Sequence, residues 1–137
     1  MKVGLLTNEI PPIVYGGVAT WIINFLDMFA EDDDIEIIPI FLAQLDEPPS
    51  DFPERYPGIR FIHGPDDVKN AFADLDACIK NLWVAFDTTK TIKETYPDML
   101  MISVCHSLIK MEHITNMGGP ITSNYFEQEI TFQYSDI

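Results

Sequence analysis

The chain has 137 residues, 47% of them hydrophobic, with a mean hydropathy of +0.05, which is enough apolar material for one domain with its own core and too much for a disordered tail. Its 22 acidic and 8 basic residues leave a net charge of −14, so most of the surface repels phosphate, which argues against nucleic acid or an anionic membrane as a partner. No run approaches the roughly 20 apolar residues that cross a bilayer, and Met1-Lys2 leads straight into a strand pattern instead of a signal-peptide core, so a cytoplasmic protein is expected.

Residues 2–7 (KVGLLT) form a short apolar run without polar alternation, the pattern of a strand covered on both faces in a parallel sheet. A loop follows that carries Pro11, Pro12, Gly16 and Gly17. From Val18 on, Trp21, Ile22, Phe25, Met28 and Phe29 recur at helical spacing and predict a helix laid on the sheet, ended by the acidic run 31–34. Gly16 and Gly17 stand where the first helical N–H groups lack intrahelical partners, and their missing side chains would let a pyrophosphate approach those donors and the positive end of the helix dipole. An ordinary tight turn explains the same residues, because glycine tolerates positive φ and proline presets the turn. The dinucleotide fingerprint G-x-G-x-x-G and the P-loop pattern G-x-x-x-x-G-K-[ST] are both absent, which argues against a dehydrogenase or a P-loop enzyme.

Residues 35–43 are β-branched and apolar and predict a second strand, and 44–58 read as a proline-rich surface excursion. A third strand is expected over 59–63. Asp66-Asp67 then cap a short helix whose apolar positions are Val68, Ala71, Phe72 and Leu75. Residues 77–81 predict a fourth strand, 83–96 a helix stopped by Pro97, 99–105 a fifth strand ending at His106, and 123–134 a last helix. Cys78 and Cys105, the only cysteines, lie in apolar strand-like runs and are expected to be buried, reduced thiols, and no Cys/His spacing suggests zinc. Strands that alternate with helices call for an α/β fold of one domain, a Rossmann-like doubly wound parallel sheet flanked by helices.

On such sheets ligands gather at the carboxyl ends of the strands, which selects the Gly16-Gly17 loop, the Asn81-Leu82-Trp83 turn and His106-Ser107. A neutral imidazole at His106 can exchange hydrogen bonds with a sugar hydroxyl, although a satisfied loop histidine or a helix cap aided by Ser107 accounts for it as well. Lys110, Glu112 and His113 could line a groove or simply form a polar, solvated loop. Glu127 and Glu129, two apart on a helix, point to different sides and make a poor acid/base pair.

Glu9-Ile10-Pro11-Pro12 followed by Gly16-Gly17 and an apolar helix resembles the opening of GT-B glycosyltransferases of the glycogen/starch synthase and group 1 (retaining) type, whose chains begin with E-x-P-P and a glycine pair. Ser103-Val104-Cys105-His106 is similar to their T-V-H with one extra residue, and Asn81-Leu82-Trp83 falls where they carry H-D-W. Val14 replaces the lysine of their K-x-G-G, and Leu82 replaces the aspartate. The resemblance implies that residues 1–137 are the amino-terminal, acceptor-side half of a GT-B fold, truncated before the nucleotide-binding carboxyl-terminal domain and inactive alone. It implies retaining glycosyl transfer from an ADP- or UDP-sugar to a glucan or other hydroxyl acceptor, with no cofactor and no metal. His106 would then be catalytic, Gly16, Gly17, Asn81 and Trp83 would hold the donor phosphates and sugar, and Glu9, Tyr15 and Lys110 would face the acceptor. Apolar surface left bare by the missing domain predicts self-association. Two other readings stand beside it: a stand-alone Rossmann-like binding or interaction module with no catalysis, and a flavodoxin-like nucleotide or flavin binder.

Overall fold

In the computed structural model, which describes residues 1–14, 16–43, 48–81, 88–104 and 136–137, β1 (Lys2–Thr7) is the middle strand of a five-stranded parallel sheet. After it come α1 (Val18–Phe29), β2 (Glu36–Leu42), α2 (Phe52–Arg55), β3 (Arg60–Ile62), a 3-10 turn (Pro65–Asp67) running into α3 (Val68–Ala71), β4 (Ala77–Asn81), α4 (Thr88–Thr95) and β5 (Leu100–Ser103). The strand order is β3-β2-β1-β4-β5, every pair parallel. The doubly wound α/β fold expected from the alternating pattern is the one observed.

The continuous apolar strands exist because both sheet faces are covered. One core joins Leu6, Ile40, Leu42 and Cys78 to α3 and α4 through Val68, Phe72 and Ile92. The other joins Leu5 and Phe41 to α1 and α2 through Ile22, Phe52 and Tyr56. Gly4 lies in the middle of β1 because the packing leaves no room there: a Cβ would come within 2.7 Å of Leu75 Cδ1 and 2.8 Å of Ile40 Cδ1.

Two local expectations are revised. The stretch 44–58 is more than an excursion, since α2 puts Phe52 fully inside the core with its ring 5.5 Å from Phe41, 5.7 Å from Tyr56 and 6.2 Å from Phe61. Asp67 begins α3 without a side-chain cap bond, because its carboxylate instead accepts from the His63 N–H at 2.7 Å. Asn81 is the buried last residue of β4, as the strand expected over 77–81 requires. The helix expected over 83–96 is seen from Thr88 to Thr95, while Cys105 and the helix expected over 123–134 lie outside the described residues. Asp136 and Ile137 run beside β5, with the Asp136 N–H donating to Met101 O (2.9 Å) and the Ser103 N–H to Ile137 O (3.0 Å).

Cys78 is a free thiol with no exposure, and burial pushes its pKa up to about 12. Among the described residues no helix is long and apolar enough to cross a membrane, and no group of three potential metal ligands occurs.

Candidate functional site

From β1 the chain moves to one side, to β2, and from β4 to the other, to β5, so the carboxyl ends of β1 and β4 flank the point where the winding reverses. Thr7 and Asn81 end the two strands and are register partners, both almost completely buried. The Thr7 hydroxyl holds the next turn from both sides: Oγ1 donates to Glu9 O at 2.9 Å and accepts from the Glu9 N–H at 3.1 Å.

Beyond Glu9 the loop closes on itself. Ile10 is fully buried, and it exchanges backbone hydrogen bonds with Ile13 at 3.0 and 2.8 Å around Pro11-Pro12, whose peptide bond is cis. The Tyr56 hydroxyl, carried next to α2, donates to Pro11 O at 2.7 Å and ties the second core to this corner.

Gly17 caps α1 with φ −70° and ψ −13°, a conformation open to any residue, so positive φ does not explain it. No side chain caps the helix, and its first turn holds no acidic residue. A Cβ on Gly16 or Gly17 would meet nothing within 4 Å. Among the described residues, the amino end of α1 is therefore open at the exposed Gly16 and Gly17, where backbone donors can be approached closely.

Of the residues expected at a site, Gly16, Gly17 and Glu9 share this corner, and Asn81 ends the neighbouring strand. Glu9, expected on an acceptor side, instead accepts the Gly16 N–H on its Oε2 at 3.0 Å and is only 9% exposed. Tyr15, Trp83, His106 and Lys110 lie outside the described residues. Sequence reasoning passed over two groups. Thr7 reads as one more strand residue although it anchors the loop, and Lys80 reads as part of an apolar strand although it is buried (2% exposed) with Nζ donating to Thr89 Oγ1 at 2.6 Å. A lysine in the last turn of a central parallel strand is the signal that could have found the second. A separate groove of about 360 Å³, lined by Leu75, Asp76, Thr95, Tyr96, Asp98 and Met99, opens at the amino ends of β4 and β5, away from the winding reversal.

Tested against a dinucleotide, the corner fits in part. The open glycine pair and uncapped helix suit close approach of a ligand. A diphosphate on the Gly16 amide does not fit, because the Glu9 carboxylate already takes that donor and would repel a second anion.

No protein-family model and no curated protein matches the chain. Among solved structures, it is similar to a wide-type short-chain dehydrogenase/reductase from Veillonella parvula DSM 2008 in complex with NADP, with a TM-score of 0.57 at 13% identity over 99% of this chain. It is similar to an ethylated short-chain dehydrogenase/reductase from the same organism to the same TM-score, 0.57, at 14% identity over 99% of this chain. The chain spans 65% of the length of each.

These neighbours overturn the glycosyltransferase reading. The E-x-P-P and glycine-pair resemblance to GT-B enzymes is confined to one strand–loop–helix corner, which many parallel sheets build, whereas the likeness to the reductases extends over nearly the whole chain. An amino-terminal glycogen synthase-like domain, transfer from a nucleotide sugar and the roles given to His106 and Trp83 in it are set aside. The expected lack of a cofactor is corrected by the same comparison, the first neighbour being a complex with NADP. The missing G-x-G-x-x-G, taken above as evidence against a dehydrogenase, leaves the fold untouched, because strand order and apolar patterning make the fold and the fingerprint serves one ligand loop. What the likeness establishes is that this chain is an α/β domain of the Rossmann type.

Proposed function

We propose that the chain is the nucleotide-binding Rossmann-type domain of an oxidoreductase-type protein, with its ligand in the crevice over the carboxyl ends of β1 and β4. The observation that carries this reading is the reversal of winding between those strands, with the open Gly16-Gly17 start of α1 directly after β1. Support comes from the neighbour in complex with NADP, which has the same kind of fold. Buried Thr7 and Asn81 form the floor, and α1 contributes backbone donors at the wall.

The test is a titration of the full chain with adenosine, ADP and NADPH, followed by calorimetry and by NADPH fluorescence. Saturable binding of at least one of them below about 1 mM is expected. Gly17→Phe, at an exposed position where an added Cβ meets nothing within 4 Å among the described residues, abolishes that binding while cooperative unfolding is retained. If none of the three ligands saturates, the reading fails.

A further inference from the structure

We propose that the groove at the amino ends of β4 and β5 is a second binding site, one for a small organic ammonium ion with an apolar body. It lies at the other end of the strands from the nucleotide crevice and does not depend on that reading. Two helix-to-strand connections build it: the one between α3 and β4 supplies Leu75 and Asp76, and the one between α4 and β5 supplies Tyr96, Asp98 and Met99. Its apolar side is part of the core that α3 and α4 share with the sheet, since Met99 is a buried member of that core and Leu75 and Tyr96 pack against it. Tyr96 is held at both ends, its N–H donating to Ile92 O at 2.7 Å and its hydroxyl to Lys69 O at 2.6 Å, so the aromatic wall is set before any ligand arrives. A volume of about 360 Å³ falls at the small end of ligand clefts and suits one ring with a short arm.

The charge of the groove selects the ligand. Asp76 and Asp98 line it, and no basic side chain does. The Asp76 carboxylate accepts the Lys2 backbone N–H at 2.7 Å, a neutral donor that orients it and leaves its charge in place. Asp98 is exposed and takes neither a hydrogen bond nor an ion pair from a described residue. Lys93, the basic residue of the last turn of α4, is turned to Asp136 Oδ2 at 2.7 Å and to Met99 O at 2.8 Å. An anion is repelled by such a lining, which separates this ligand from a nucleotide, and a neutral apolar molecule leaves both carboxylates without a use. An ammonium ion is attracted by the two carboxylates and by the Tyr96 ring, while its hydrocarbon part covers Leu75 and Met99.

The experiment follows the amide NMR spectrum of the full chain at low salt during titration with phenethylamine and, in parallel, with phenethyl alcohol, which has the same body without the charge. The amine is expected to saturate below about 5 mM, with its largest shifts at Leu75, Tyr96 and Met99, and the alcohol to bind at least about fivefold more weakly. Asp98→Asn keeps the shape of the side chain and removes its charge, and it is expected to lose about threefold in affinity for the amine and none for the alcohol, at an unchanged unfolding midpoint. ADP added to the amine-saturated protein leaves these shifts in place, so the result is read without reference to the nucleotide crevice. The proposal is overturned if the amine does not saturate, if its shifts centre on other residues, if amine and alcohol bind alike, or if Asp98→Asn binds the amine as wild type does.

Discussion

Replacing Phe52 with alanine tests whether the segment between β2 and β3 is part of the core that supports the ligand corner. Phe52 is completely buried and is surrounded by Phe41, Tyr56 and Phe61 at centroid distances of 5.5, 5.7 and 6.2 Å. A Phe→Ala change at such a site costs about 3–5 kcal/mol through lost transfer energy and the cavity left behind. Three aromatic neighbours, each pair worth about 0.5–1.5 kcal/mol beyond its buried area, put this position toward the upper end, near 4 kcal/mol. Against a total stability of about 5–15 kcal/mol, that removes a large share. The assay is urea unfolding by circular dichroism and tryptophan fluorescence, comparing midpoints at unchanged slope. Because Tyr56 packs on Phe52 and holds Pro11 O, ligand affinity should fall in the same variant at temperatures where it is still folded. A loss below about 1 kcal/mol would refute the reasoning, since only a side chain outside the core loses so little.

Two further perturbations probe charges. Hydrogen bonds from the Arg60 guanidinium, at 2.6 and 3.1 Å, and then from the Lys2 ammonium, at 3.0 Å, hold the Asp74 carboxyl well below the usual carboxylate range. A lowered folded pKa means that the stability it contributes is present above the ordinary value near 3.8 and is lost as pH falls below it. Asp74→Asn should therefore flatten the acid limb of stability measured by urea midpoints between about pH 6 and pH 2, and an identical limb in both proteins would count against the network. Thr89→Val exchanges a hydroxyl for a methyl group and withdraws the acceptor 2.6 Å from the buried Lys80 Nζ. A cost of about 1.5–3 kcal/mol is expected in urea unfolding, recovered by Thr89→Ser, and a cost under about 0.5 kcal/mol would show that Lys80 does not depend on that oxygen.

The parts of the fold legible in the sequence are those written as period and composition. β1 and β2 announce themselves as largely apolar runs because both of their faces are covered, β4 through Ala77, Cys78 and Ile79 alone, and α1 because its apolar residues recur with the helical turn. α2 was not legible: its four residues are too few for a helical period, and the prolines around Phe52 suggest solvent although the aromatic ring is in the core. The Asp67 carboxylate went to the His63 amide and not to a cap because β3 ends within its reach, a tertiary fact with no local mark. At the carboxyl ends of β1 and β4, the order of the elements was legible and the chemistry was not. The rule that ligands gather at strand ends selected Gly16, Gly17 and Asn81, whereas the likeness of a few residues to one enzyme family supplied the wrong reaction, because a short motif on a common fold carries little information about what the site does.

The glycine pair shows why. Two glycines before an apolar helix look like a phosphate seat when only backbone donors are counted, and the chain's eight basic residues seem the sole further source of positive field. An acid seven residues upstream, held by the Thr7 hydroxyl at the end of β1, instead accepts the Gly16 N–H one residue before the Gly17 cap. Thr7, Glu9 and Gly16 form one hydrogen-bonded path from the central strand to the helix start, so the charge at the corner is as firmly placed as the strand itself. A ligand that enters must satisfy that charge or avoid it.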